Sequence, residues 1–205
     1  MKSNITELIG LPGTGKSYWV CGASEQVNIS RSSHVVASGV SKHKLYNTYC
    51  GFRVSPMVCG LLAILFIINI KRCFSLTEAR PYLVILERLG RNRGIRIATN
   101  DHTFVDEGTL QFVWRIFCNL ELNRANLFIG ELVLNKLIRS IDGVEYLMVC
   151  KARHSERVAS RNKKQKFDIA LLEGNSPYLK SCRDSMYCLV MFLRNSPIKI
   201  SVTRG

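Results

Sequence analysis

The chain has 205 residues and a mass of 23.2 kDa, enough for one domain with a substantial core. Hydrophobic residues make up 47% and charged residues 21%, which excludes a disordered tail and a collagen-like repeat. Lysine and arginine number 29 against 15 acids, a net charge of +14, so the expected company is polyanionic: nucleotides, phosphorylated substrates, nucleic acid or an anionic surface.

In chain order, the first predicted element is a strand over 4–9, where Ile5-Thr6-Glu7-Leu8-Ile9 alternates and is β-prone. Glu7 and the lack of a cleavage site argue against a signal peptide. Residues 10–17 then read Gly-Leu-Pro-Gly-Thr-Gly-Lys-Ser, which satisfies G-x-x-x-x-G-K-[ST] at every fixed position. A helix over 16–27 is expected to follow. Strand, glycine-rich loop, helix is the order that phosphate binding requires. Gly10, Gly13 and Gly15 permit a tight turn whose amides point inward, with Leu11, Pro12 and Thr14 completing the cradle. The positive end of the helix adds to the field. Lys16 then reaches the terminal phosphates, and Ser17 offers its hydroxyl to Mg²⁺.

These residues resemble the P-loop NTPase superfamily. The resemblance covers about the first 27 residues and implies an α/β fold with a parallel sheet between two layers of helices. Four further strands are predicted near 33–38, 102–107, 144–150 and 197–203, giving a mainly parallel five-stranded sheet in a three-layer α/β/α P-loop fold. Predicted helices occupy 41–50, 56–71, 77–90, 109–121, 125–140, 152–164 and 177–194.

Residues 39–100 lie between the second and third predicted strands, where small kinases carry an acceptor-binding arm. Within them, residues 54–70 hold no charge. As a helix they span about 25 Å, short of a bilayer's roughly 30 Å, and Asn69 interrupts the end. A buried core helix is the favoured reading over a membrane segment. The basic stretch 87–96 contains Gly90 and Gly94 and reads as a solvated turn, with a grip on a substrate phosphate or a nucleic-acid backbone as the other readings.

A phosphate-loop site needs a second carboxylate at the end of another core strand. His102-Thr103-Phe104-Val105-Asp106-Glu107-Gly108 supplies one. Asp106 is the candidate metal-linked acid, and Glu107 the candidate that orients or deprotonates an acceptor. Alternation sets the two on opposite sides, so their roles could exchange. Gln111 and Arg115 fall one turn apart on the next helix, while Phe112 and Trp114 read as core. After the strand at 144–150 come Arg153, Arg157 and Arg161, spaced by four, with Lys163, Lys164 and Lys166 beyond. Three guanidinium groups on one helix face repel one another unless an anion sits there. Strand followed by basic helix looks like the lid of thymidylate-kinase-like and other small nucleoside or nucleotide kinases, though a solvated basic face also fits. The typical Asp-Arg pair after the acidic strand is Asp106-Glu107 here.

The expected organisation is a single domain over 1–205, with 39–100 as helical arm and 151–166 as basic lid. The expected activity is a cytoplasmic kinase that uses ATP and Mg²⁺ to phosphorylate a small-molecule hydroxyl or phosphate acceptor. The competing reading is a nucleic-acid-associated or regulatory NTPase, in which Gln111 orients water. A membrane-attached nucleotide-binding protein ranks third. The eight cysteines lack C-x-x-C spacing and read as small buried hydrophobes in a reducing compartment.

Overall fold

The computed structural model describes residues 4–12, 14, 16, 44–70, 76–98, 103–148, 151–160, 166–173 and 177–204. The expected strand at 33–38 and all but the first residue of the expected helix at 16–27 lie outside them.

Four strands are described: β1 (Ile5–Ile9), β2 (Thr103–Asp106), β3 (Gly143–Met148) and β4 (Lys199–Arg204). They form one sheet in the order β2-β1-β3-β4, every pair parallel. The five-stranded expectation therefore meets four strands among the described residues. Parallel pairing sends each chain crossing through helices and gathers the loops that follow the strands on one edge. β1 sits centrally, and Ile5, Leu8 and Ile9 are fully buried, as a strand covered on both faces demands.

Eight α-helices are described. The arm region holds α1 (Lys44–Val54), α2 (Pro56–Ile68) and α3 (Leu76–Ala98). Between β2 and β3 run α4 (Thr109–Asn119) and α5 (Arg124–Leu137), the latter ending in a 3₁₀ turn at Ile138–Ser140. After β3 come α6 (Lys151–Ala159), α7 (Lys166–Glu173) and α8 (Pro177–Arg194). The hub is α4, buried at every position except Arg115 and Asn119, and packed on β1, α3, α5 and α8. Phe112 and Trp114 belong to the core, and the Trp114 indole donates to the Cys182 carbonyl at 2.8 Å.

Three expectations change. The stretch 87–96 is not a solvated turn but the second half of α3. Its Gly90 is there for contact rather than for a bend. A Cβ at Gly90 would stand 2.0 Å from the Asn47 carbonyl oxygen, and one at Gly51 would stand 1.8 Å from that of Leu86. Helices α1 and α3 thus cross backbone to backbone, which only glycine allows. Second, α2 buries Val58, Leu62 and Leu65 but exposes Met57, Ile64, Ile67 and Ile68. It is a core helix on one face only. No single helix among the described residues is long and apolar enough to cross a membrane, and α1 and α2 meet at a bend of 102°. At the end of α2 the buried Asn69 side chain donates to the Leu65 carbonyl and to Asn126 Oδ1, each at 2.8 Å. Third, the five described cysteines are free thiols, but only Cys118 and Cys182 are buried, while Cys188 is exposed. Burial pushes the Cys118 thiol far up.

Candidate active site

The glycine-rich loop that begins at Gly10 leaves β1 at the edge where the strands end. Gly10 starts it with φ +156°, and a Cβ there would meet the Leu147 carbonyl oxygen at 2.8 Å and Thr14 Oγ1 at 2.9 Å. The Gly10 amide donates to Gln111 Oε1 at 3.3 Å. The Thr14 amide and hydroxyl both donate to the Leu11 carbonyl, at 3.2 and 2.9 Å. Lys16 lies against the loop itself, its Nζ donating to the carbonyls of Gly10 at 2.9 Å and Leu11 at 3.3 Å. Gly13, Gly15 and Ser17 lie outside the described residues.

Asp106 ends β2, and the sheet register sets it beside Leu8, two residues before the loop. It is buried. Glu107 separates from it as alternation requires. Its φ is 54°, in the left-handed region, and its side chain swings outward to accept from Arg115 at 2.7 Å. The Arg115 guanidinium also lies 4.7 Å from the Phe112 ring centre. One acid is thus buried at the end of β2, beside Leu8, and the other is tied to Arg115 of α4.

The basic helix reaches the loop. His154, buried on α6, makes a 2.5 Å contact from Nε2 to the Pro12 carbonyl. That oxygen only accepts, so the contact assigns the proton to Nε2. His154 also stacks on Phe167 of α7. Helix α6 is therefore fixed beside the loop at Pro12. The side chains of Arg153 and Arg157, and all of Arg161, lie outside the described residues.

Sequence reasoning missed the group that organises this edge. Glu7, wholly buried on β1, accepts from the Thr109 amide at 2.8 Å, the Thr109 hydroxyl at 2.8 Å and the Leu110 amide at 2.9 Å. Asn92 of α3 donates to it at 3.3 Å. Gly108, the residue before α4, has no side chain to cap that helix, and Glu7 supplies the acceptor from the sheet. The available signal was a carboxylate inside an otherwise apolar run on a central strand, which must find donors. Arg91 lies in the same buried neighbourhood. Burial pushes its guanidinium down to about 10, Arg88 adding to this while Glu7 and Glu87 oppose it.

A cavity of about 310 Å³ opens beside the loop, bounded by Leu11, Tyr146, Met148, Arg183, Tyr187 and Arg194. Burial pushes the Tyr146 phenol up, with Arg194 partly opposing. Tyr146 therefore stays a neutral donor over the ordinary pH range.

Comparison with solved structures identifies the architecture. A deoxyadenosine kinase from M. mycoides with bound dATP superimposes with a TM-score of 0.53 at 14% identity, covering 98% of this chain and 90% of that one. A thymidylate kinase from Candida albicans gives a TM-score of 0.50 at 12% identity, covering 100% of this chain and 85% of that one. The fold is the three-layer α/β/α fold of the P-loop nucleoside and nucleotide kinases. No protein-family model and no curated protein matches the sequence.

Proposed function

We propose that the chain is a P-loop kinase that binds ATP with Mg²⁺ and transfers the γ-phosphoryl group to a small-molecule hydroxyl or phosphate acceptor. The observation that carries this reading is the meeting of three parts at one sheet edge: the loop Gly10–Ser17, the buried Asp106 and helix α6, held to the loop by His154. Residues 39–100 and the basic stretch 151–166 would serve as acceptor arm and lid of one domain, and a cytoplasmic location fits that role.

In this reading Lys16 leaves the Gly10 and Leu11 carbonyls to meet the terminal phosphates, while the loop backbone cradles them. The donor set fits a hard cation: the Ser17 hydroxyl from the loop and a buried carboxylate, Asp106, at the mouth of the adjacent strand. When bound, Mg²⁺ would neutralise phosphate charge. Arg153, Arg157 and Arg161 would add guanidinium groups from the lid side. Glu107 would hold or deprotonate the acceptor, with Arg115 fixing its carboxylate.

The hydrolytic alternative draws on the net charge of +14 and on Gln111 as a group to orient water. Gln111 is instead buried and accepts from the Gly10 amide, which suits a brace for the loop. The deciding experiment is an acceptor-library screen for ATP consumption with wild type and Lys16→Ala. The expected result is acceptor-dependent turnover that Lys16→Ala abolishes while the circular-dichroism spectrum stays unchanged. Full activity in the variant removes the mechanism. Turnover stimulated by DNA or RNA instead of by a small acceptor favours the NTPase.

A further inference from the structure

The opposite edge of the sheet, where the strands begin, carries a second basic concavity. Its volume is about 410 Å³, and its walls include Ser55, Arg93, Arg96, Lys136, Arg139 and Ser140. The four cations come from two helices and the turn that follows one of them: Arg93 and Arg96 from α3, Lys136 from α5 and Arg139 from the 3₁₀ turn. Its position is fixed by Asp142, whose carboxylate accepts from Arg96 and from the Ile5 amide at the start of β1, both at 2.8 Å. The phosphate loop lies at the other end of that strand, so one small ligand cannot touch both places.

The local charge balance is one-sided. Arg96 has Asp142, and as last-turn residues Arg96 and Lys136 also oppose the negative ends of α3 and α5. Those partners account for two of the four cations. Among the described residues, Arg93 and Arg139 have no ion-pair partner. The positive end of α2, capped by Ser55, borders the same cavity. Cations drawn from separate elements into one hollow repel each other, and an anion with several oxygens is the chemistry that relieves them. A hollow of this size matches a small molecule.

We propose that this basin is a binding site for a phosphate-bearing small molecule, separate from the phosphate loop. Arg93 and Arg139 grip the phosphate oxygens, Arg96 and Lys136 supply the surrounding field, and the Ser55 and Ser140 hydroxyls lie within the same walls. A ligand here would bear on the turn between α1 and α2 and on the ends of α3 and α5, all remote from the transferred group.

The test is titration calorimetry with inorganic tripolyphosphate on wild type, Lys16→Ala, Arg93→Gln/Arg139→Gln and the triple variant. The expected result is two classes of site in wild type. Lys16→Ala removes one, the double variant weakens the other at least about tenfold, and the triple variant binds neither. The double variant changes only exposed side chains, so its melting temperature is expected to stay within about 2 °C of wild type by the usual small effect of surface substitutions. A single site that vanishes in Lys16→Ala and survives in the double variant overturns the proposal. So does a basin that ignores tripolyphosphate but loses a single-stranded oligonucleotide in the double variant, which assigns the face to nucleic acid. A wild type that shows only the site weakened in the double variant, with Lys16→Ala binding as wild type does, would sink the kinase reading and leave the basin standing.

Discussion

Removing the carboxylate of Glu7 is the sharpest perturbation of the fold. The side chain is fully buried and serves three short donors at the start of α4: the Thr109 amide, the Thr109 hydroxyl and the Leu110 amide. Glu7→Ala leaves all three inside with no acceptor. At the low end, about 1 kcal/mol per orphaned buried donor, the loss is about 3 kcal/mol. For a chain of this size that lowers the melting temperature by roughly 6–12 °C and the urea midpoint by about 1 M. Glu7→Gln keeps one carbonyl oxygen and the volume, so roughly half the loss is expected on the same basis. The assay is urea unfolding followed by far-ultraviolet circular dichroism and by tryptophan fluorescence, for which Trp114 on α4 is a core reporter. Coincident transitions license the free energies. A Glu7→Ala midpoint within about 0.3 M of wild type would refute the reasoning, because it would mean that the three donors find water or other acceptors at little cost.

Two further predictions concern the backbone. Gly90→Ala places a methyl 2.0 Å from the Asn47 carbonyl oxygen, and no rotamer relieves a clash with backbone; the expected loss is about 1–3 kcal/mol despite alanine's better helix propensity. Gly94→Ala, with open space around it, is the control and should gain about 0.5–1 kcal/mol in the same denaturation assay; equal effects at both positions would deny the close crossing. Glu107→Gly removes an L-residue from the left-handed region, worth about 1 kcal/mol, and gives up a half-exposed ion pair worth about as much at most, so stability should change by less than about 1 kcal/mol. Turnover should nevertheless fall at least about a hundredfold, the low end for a group that accepts a proton; an unchanged rate would strip Glu107 of that role.

Much of the architecture was legible because it rests on local rules. Alternation at Ile5–Ile9, the glycine spacing after it and the acids that close β2 located the loop and its neighbouring strand, and α8 begins and ends where the pattern of 177–194 said it would. The failures share a cause: a residue's local signal was outweighed by a partner far along the chain. Gly90 reads as a breaker until Asn47 of α1 is set against it. Helix α7 hid behind the lysines before it, since its purpose is to bury Phe167 against His154 and Trp114. His154 itself was lost among the arginines at 153 and 157, although it is the residue that reaches the loop. Glu7 looked like one more polar position of an alternating strand, and only the arrival of α4 about a hundred residues later explains it.

The reciprocal contact between α1 and α3 has a mechanical consequence. Gly51 rests on the carbonyl of Leu86 and Gly90 on that of Asn47, so two turns of helix interlock like meshed teeth. Sliding either helix along its axis would drive a side-chain-bearing neighbour into a peptide oxygen, whereas swivelling about the crossing keeps both glycines seated. The pair is therefore keyed along the helix axes: an axial shift of α1 against α3 has to break both contacts at once, Gly51 on Leu86 and Asn47 on Gly90.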